Sequence, residues 1–166
     1  MSELRPIVEF DWQLLREIRL RALLDSPDSF GPTYEATVAE PESLWRRWAS
    51  GAEGRFQVIV ALDTTGNATG LISCSVRESG AGGLGALWVA PEVRGMGLGR
   101  ELMRAGIAWL ESHGCGRIEL HVTDGNPAES LYESLGFSRT GARHPLREGS
   151  PLFEVTMSRE LAPESA

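Results

Sequence analysis

The fold of this chain is most constrained by a strand, a helix and a second strand that follow one another in its second half. Leu84 to Val89 has the pattern of a strand, Leu98 to His113 predicts an amphipathic helix, and Arg117 to Val122 predicts another strand. Gly114 is well placed to end the helix. Such a unit joins two parallel strands through a right-handed crossover. The sequence therefore predicts a parallel strand pair with a helix packed across it.

The remaining elements predict antiparallel strands and further helices around this unit. Phe56 to Leu62 and Gly70 to Val76 are apolar, strand-like runs joined by a turn-like segment, Asp63 to Asn67, and they indicate a hairpin. Other strands are expected at Arg5 to Phe10 and Leu152 to Ser158, and other helices after Asp11 as an N-cap, at Pro41 to Ser50 and at Pro127 to Leu135. Together they predict an α/β fold with a mixed, mostly antiparallel sheet of about six to seven strands and helices on both faces.

Length and charge limit the class of protein. The 166 residues fit one domain, residues 1–166, with an ordered core at about residues 4–160 and a frayed tail from Pro163. A net charge of −7 argues against a nucleic-acid partner, which requires a concentrated basic surface. Cys74 and Cys115 are too few for a disulfide framework, and the sequence shows no signal peptide or membrane span. We therefore expect a cytoplasmic monomer or homodimer without a membrane or nucleic-acid partner.

The turn between the first strand and the helix of the unit is rich in glycine. It reads Val93-Arg-Gly-Met-Gly-Leu-Gly-Arg100. A turn that leaves a strand and opens a helix presents unpaired backbone N–H groups, and the positive helix end attracts phosphate. Glycine lets the backbone approach an anion closely, and arginine adds charged donors. The residues expected to hold a pyrophosphate are Arg94, Gly95, Met96, Gly97, Leu98, Gly99 and Arg100.

Two other glycine-rich phosphate loops do not fit this turn. A dinucleotide-binding Gly-x-Gly-x-x-Gly pattern that starts at Gly95 meets Arg100 in place of its last glycine, and one that starts at Gly97 meets Leu102. A P-loop requires lysine, whereas all 16 basic residues of this chain are arginine. Both of these nucleotide-binding motifs are therefore excluded.

Two motifs together resemble a known family. Arg94-x-x-Gly97-x-Gly99 resembles the acetyl-CoA loop of the GNAT superfamily of N-acetyltransferases. Asn126-Pro-Ala-Glu-Ser-Leu-Tyr-Glu-Ser-Leu-Gly-Phe137 resembles the later helix of that family, in which Asn-x-x-Ala-x-x-Leu-Tyr-x-x-x-Gly-Phe is usual. The departure lies in the small-residue part, where alanine stands at position 128 and Ser130 follows Glu129. The resemblance is strong from Leu84 to Phe137 and looser, through the order of elements, over the whole chain.

This resemblance implies a GNAT-like sheet that splays open between its fourth and fifth strands, with acetyl-CoA as co-substrate and no metal. It implies that the backbone of Leu87, Trp88 and Val89 holds the pantetheine arm and the acetyl carbonyl. Asn126 would cap its helix together with Glu129 and would also contact the cofactor. Tyr132 would protonate the leaving thiolate, although a half-buried packing tyrosine is the plainer interpretation. Gly83 and Gly85 would permit a bulge, or else a flexible hairpin.

The general base is the least determined part of the predicted site. An amine resembling lysine is mostly protonated at neutral pH and must lose a proton before it attacks. Glu119 is the leading candidate, and His121 shares its strand face. Glu35 and Glu78 are alternatives in loops. Histidine, cysteine and acidic residues nowhere show metal-ligand spacing along the chain, so no metal site is expected.

The predicted reaction moves an acetyl group to a primary amine of a small molecule by direct attack in a ternary complex. A protein N-terminus or lysine is an alternative acceptor, and a non-catalytic acyl-CoA sensor is an alternative function. The segment from Asp25 to Glu40, with Asp28, Phe30, Tyr34 and Glu35, is expected to form the acceptor wall. An acid-lined pocket there would favour a cationic small amine, and an open groove would favour a peptide.

Overall fold

In the computed structural model, residues 2–162 are described, and their seven strands form one mixed sheet. Met1 and residues 163–166, which include the predicted frayed tail, lie outside the described residues. The strands are β1 (Glu3–Pro6), β2 (Phe56–Leu62), β3 (Ala68–Val76), β4 (Gly82–Val89), β5 (Arg117–Thr123), β6 (Ser138–Pro145) and β7 (Phe153–Glu160). The helices are α1 (Trp12–Asp25), α2 (Tyr34–Val38), α3 (Glu42–Ala49), α4 (Leu98–Ser112) and α5 (Ala128–Ser134).

The strand order is β1-β2-β3-β4-β5-β7-β6, and only β4 and β5 run parallel among the paired strands of the described chain. The predicted mixed sheet with a parallel fourth and fifth strand is therefore confirmed. The strand β2 has the predicted bounds because its apolar run is buried on both faces. The following turn also forms as predicted, since the Asp63 carboxylate accepts the N–H groups of Thr65 and Asn67 at 2.9 and 3.0 Å.

Helices cover both faces of the sheet, as expected. On one face, α4 and α5 pack on the central strands in a cluster that includes Leu102, Leu110, Ile118 and Met157. On the other face, α1 and α3 bury a second cluster that includes Ile18, Leu23, Trp45 and Leu71. These two faces are named here the α4 face and the α1 face.

The predicted first strand is too long. β1 ends at Pro6, and residues 9–11 form a short 3-10 turn instead of continuing the strand to Phe10. The Asp11 carboxylate accepts hydrogen bonds from the Arg5 guanidinium at 2.8 Å and from the Val8 N–H at 3.0 Å, and these bonds turn the chain. The same bonds occupy the side chain that was expected to cap α1, so Asp11 stands at the N-cap position without a side-chain cap bond.

The sheet opens between β4 and β5. Their ladder pairs only Gly82–Leu84 with Ile118–Leu120, and beyond it the edge of β4 that faces β5 has no strand partner in the described ladders. On the other edge, β4 contains a bulge, because Leu71 pairs with Trp88 while Ser73 pairs with Gly85. Gly85, one of the two glycines that would permit a bulge, borders it. Within the bulge, Ala86 has a φ of 54°, which is unusual for a residue with a side chain.

Two glycines allow α4 to lie close to the sheet at the narrow end of this opening. A Cβ atom on Gly106 of α4 would come within 2.8 Å of Cδ2 of Leu84, and one on Gly82 of β4 would come within 2.9 Å of Leu110. Both separations are shorter than packed side chains tolerate. The absence of these two Cβ atoms therefore sets the distance between the helix and the splayed strands.

Candidate active site

A cleft of about 480 Å³ lies where β4 and β5 diverge. Its walls combine β4, β5, the turn before α4, the start of α5, and the connection between α1 and α2. Among the predicted cofactor-binding residues, those that line it are Leu87, Trp88, Val89, Arg94, Gly95, Gly97, Leu98, Gly99 and Asn126. Met96 and Arg100 do not line it: Met96 is 76% exposed, and Arg100 donates a hydrogen bond to Oγ of Ser134 at 3.0 Å.

The glycine turn has the geometry of an anion site. Gly95 and Gly97 adopt φ values of 79° and 87°, in the left-handed region that favours glycine. Gly97 is the N-cap of α4 and supplies no side-chain oxygen. The N–H groups of the first helical turn are therefore available to a ligand, and they lie at the positive end of a 15-residue helix.

The carboxylate of Asp25 fixes the base of this turn. It accepts hydrogen bonds from the hydroxyl of Ser26, the indole N–H of Trp88 and the guanidinium of Arg94. These donors, Ser26 first and then Trp88 and Arg94, lower the pKa of Asp25 to about 2. Arg94 also donates to the carbonyl of Val89 at 2.9 Å. Arg94 thus holds the turn against α1 and the end of β4, which was not expected from the sequence.

Tyr132 of α5 is one of the residues that line the cleft. Its side chain is buried in the cluster of the α4 face, and burial raises the pKa of its hydroxyl to about 12. The hydroxyl is therefore protonated throughout the neutral range. A protonated phenol in a cleft wall is a hydrogen-bond donor for a group that develops negative charge.

Asn126 joins the start of α5 to the opposite wall. Its Oδ1 accepts the N–H of Ala128 at 2.9 Å, and its Nδ2 donates to Oγ of Ser29 at 3.2 Å. The expected capping role is thus present, but Glu129 does not complete a capping box. The Glu129 carboxylate instead accepts two hydrogen bonds from the guanidinium of Arg139, which lower its pKa.

The wall on the α1 side is formed by residues 26–31, and three of them, Ser26, Ser29 and Phe30, line the cleft. Arg147, from the β6–β7 connection, holds this wall in place. It donates to the backbone carbonyls of Pro27, Phe30 and Gly31 at 2.8, 2.9 and 3.0 Å. The hydroxyl of Thr123 also donates to the carbonyl of Asp28 at 2.6 Å. Within the predicted acceptor segment, Phe30 lines the cleft, whereas Asp28, Tyr34 and Glu35 do not.

The structure separates the candidates for the general base. Glu119 forms ion pairs with Arg77 and Arg117 and does not line the cleft, so its position does not support that role. Neither Glu35 nor Glu78 lines the cleft. His121, from the same strand face as Glu119, does line it.

Both cysteines lie away from the cleft lining. Cys74 is fully buried and Cys115 is 5% exposed. Burial raises the pKa of Cys74 to about 12 and also raises the pKa of Cys115. Both thiols are therefore protonated at neutral pH and out of reach of a substrate.

A comparison with known protein families identifies the family to which this chain belongs. Residues 13–137 match the acetyltransferase (GNAT) family, and this match covers most of the chain. The chain therefore belongs to the GNAT acetyltransferase family, whose acetyl donor is acetyl-CoA, and the resemblance of its two motifs is confirmed.

More specific similarity comes from relatives and from a solved structure. The mycothiol acetyltransferase of Salinispora arenicola is 37% identical over 131 residues, covering 75% of this chain and 40% of that protein. The mycothiol acetyltransferase of Renibacterium salmoninarum is 35% identical over 114 residues, covering 65% and 33%. The chain thus spans less than half the length of these relatives. The structure of yncA from Salmonella typhimurium with acetyl-CoA shares the fold, with a TM-score of 0.79, 22% identity and coverage of 100% and 97%.

Among residues 2–162, no helix is both long and apolar enough to cross a membrane. Ser26 and Ser29 line the cleft from within the predicted acceptor segment, although they were not singled out there, and Met103 of α4 is a lining residue that the sequence did not indicate. The hydrogen bonds of Asp25 and Arg147 that hold the site join residues far apart in the sequence, so no local sequence pattern predicts these bonds.

Proposed function

We propose that this chain transfers the acetyl group of acetyl-CoA to a primary amine of a small molecule by direct attack in a ternary complex. The observation that carries the proposal is the unpaired edge of β4 beyond Leu84. This edge lines the same cleft as the glycine turn at Gly97 and the side chain of Tyr132. The three features supply what thioester aminolysis requires: an anion site, a carbonyl-binding strand and a proton donor.

Cofactor binding would use backbone groups above all. The first-turn N–H groups of α4 would bind the pyrophosphate, assisted by the helix dipole. The unpaired edge of β4, from Gly85 to Val89, would hydrogen-bond the pantetheine arm as a neighbouring strand would. An N–H group of this edge would also stabilise the oxyanion that forms when the amine attacks the acetyl carbonyl.

The buried cysteines support direct attack rather than an acetyl-enzyme intermediate. An acetyl-cysteine route needs an accessible thiolate, and neither Cys74 nor Cys115 offers one. In the direct route, the amine nitrogen bonds to the acetyl carbon and the C–S bond breaks. The departing thiolate takes the proton of the Tyr132 hydroxyl, which solvent then replaces. The amine gives up its own proton to solvent or a cleft base.

The polar part of the cleft supports a small acceptor. Ser26, Ser29, His121 and Asn126 supply hydrogen-bonding groups, and the described residues that line the cleft include no carboxylate. The acid-lined pocket that would favour a cationic small amine is thus not found among them. Arg147 already donates to three backbone carbonyls of residues 26–31, so these carbonyls are less available to the backbone of an extended peptide. The relatives are named for mycothiol, a small molecule, and this agrees with the same acceptor class.

The test measures CoA release from acetyl-CoA with a panel of uncharged small amines, cationic small amines and peptides. Mass spectrometry then identifies the acetylated product. We expect release with small polar amines, and intersecting double-reciprocal plots when both substrates are varied. Parallel plots would contradict the ternary complex. Release with peptides alone would favour the protein acetyltransferase, and cofactor binding without any amine-dependent release would favour the sensor.

A further inference from the structure

Three side chains of types that can bind a metal ion come from three neighbouring strands and meet on one face of the sheet. They are His121 of β5, His144 of β6 and Glu154 of β7. β7 lies between the other two strands, with His144 opposite Glu154 and His121 opposite Thr156. Side chains two residues apart on a strand share a face, so the three project together. Because the neighbours of His121 on β5 pack on the α4 face, this cluster lies on the α1 face.

The distances fit a metal ion. One nitrogen of each histidine and one oxygen of Glu154 all lie within 4.8 Å of one another. Nε2 of His144 is 3.3 Å from Oε1 of Glu154. Ligand atoms held about 2.0–2.1 Å from a tetrahedral zinc ion are about 3.3 Å apart, so this pair already has the required spacing. Each separation between the His121 nitrogen and the other two ligand atoms must shorten by at most about 1.5 Å to reach the same value.

A fourth residue orients one of the histidines. The hydroxyl of Thr156 is buried and lies 3.1 Å from Nδ1 of His121. Metal-binding histidines usually donate the N–H of their second ring nitrogen to such a partner, which fixes the tautomer and the ring plane. In the tautomer in which Nδ1 donates to Thr156, Nε2 of His121 is the nitrogen that would bind the ion.

We propose that His121, His144 and Glu154 bind a divalent transition-metal ion, for which Zn²⁺ is the best match. Two imidazoles and one carboxylate are a frequent zinc ligand set, and they leave one coordination position for water or a ligand. Mg²⁺ and Ca²⁺ prefer oxygen ligands alone. Acetyl transfer from a thioester requires no such ion, so the site is a property beyond the proposed function. Since His121 also lines the cleft, the ion lies at the edge of the cleft.

The test uses Co²⁺ as a spectroscopic probe and Zn²⁺ as its competitor, on protein freed of any polyhistidine tag. We expect one equivalent of Co²⁺ to produce a visible absorption band that one equivalent of Zn²⁺ removes. His113→Ala is the matched control, because His113 stacks on Trp109 at 3.8 Å outside the cluster. This variant should bind Co²⁺ as the wild type does.

Variants of the cluster decide whether the three residues are the ligands. His144→Ala and the isosteric Glu154→Gln should each weaken Zn²⁺ binding about 100-fold or more, and Thr156→Val should weaken it about 10-fold. Circular dichroism and acetyl-CoA binding verify that each variant is folded. Absence of stoichiometric Co²⁺ binding by the wild type overturns the proposal, and so does equal Zn²⁺ affinity in the wild type and a folded His144→Ala. Neither result bears on acetyl transfer, which is measured separately.

Discussion

Replacement of Asp25 by asparagine should remove a charge on which the cofactor turn depends. The side chain keeps its size and one acceptor for the Trp88 indole, but the Arg94 guanidinium loses its ionic partner. We expect the variant to be less stable by about 1–2 kcal/mol at neutral pH, and to bind acetyl-CoA more weakly because Arg94 no longer holds the turn against α1.

The magnitude follows from the pKa of Asp25, which the fold lowers from 3.8 to about 2. A depression of this size corresponds to about 2.4 kcal/mol by proton linkage. The partial exposure of the side chain, 28%, reduces the expected value to about 1–2 kcal/mol. Because the pKa is lower in the folded state than in the unfolded state, the stabilisation is present above about pH 4. It falls to roughly half near pH 3 and is lost as the pH approaches the folded pKa.

The assay is urea unfolding followed by tryptophan fluorescence at about pH 7, 4 and 3, with the wild type measured in parallel. Asp28→Asn is the matched control, since it removes the same charge while Asp28 contacts Thr123 only through its backbone carbonyl. A loss of stability that is the same at all three pH values, or one that Asp28→Asn reproduces, would refute the reasoning.

Four further substitutions, in three experiments, test the site. Tyr132→Phe should lower kcat about 100-fold or more while the dissociation constant of acetyl-CoA changes little. An unchanged rate constant for acetyl transfer in single-turnover experiments would exclude the proton-donor role. Gly97→Ala and Gly114→Ala place a side chain at positive φ at opposite ends of α4, so each variant should be less stable by about 1 kcal/mol. Only Gly97→Ala should also weaken acetyl-CoA binding, as measured by calorimetry. Arg147→Ala should raise KM for the amine more than KM for acetyl-CoA, and an equal rise in both would contradict its role in the acceptor wall.

The parts of the fold that could be predicted are those specified by neighbouring residues. Phe56 to Leu62 is an apolar run with a charged residue before it and an Asp-led turn after it, and β2 occupies these residues. The first strand was predicted to end four residues too late, at Phe10 rather than at Pro6, because the run that follows Pro6 is also largely apolar. The bonds from Asp11 to Arg5 and Val8 end that strand, and a strand pattern carries no sign of them.

The candidate site also combines parts that could be predicted from neighbouring residues and parts that could not. The glycine turn and the Tyr132 helix are contiguous motifs, and the structure places both on the cleft. The contacts of Asp25 connect residues 63 and 69 positions apart in the chain, and no local signal could indicate them. The cluster of His121, His144 and Glu154 depends on the register of three strands, which hydrophobic pattern alone does not determine.

The close contact of α4 with the sheet at Gly82 and Gly106 makes the width of the cleft a property of residues that never touch its ligand. The two halves of the sheet, which meet at β4 and β5, are joined by a ladder of only three residue pairs. The helix α4, which shares one buried cluster with both strands, therefore helps to fix the angle between them. A methyl group added at either glycine would meet the side chain of Leu84 or Leu110, and we expect the repacking of these leucines to change the distance between α4 and the sheet and with it the width of the cleft. Substrate range in this chain could therefore shift through mutations in its core, with every residue of the cleft wall unchanged.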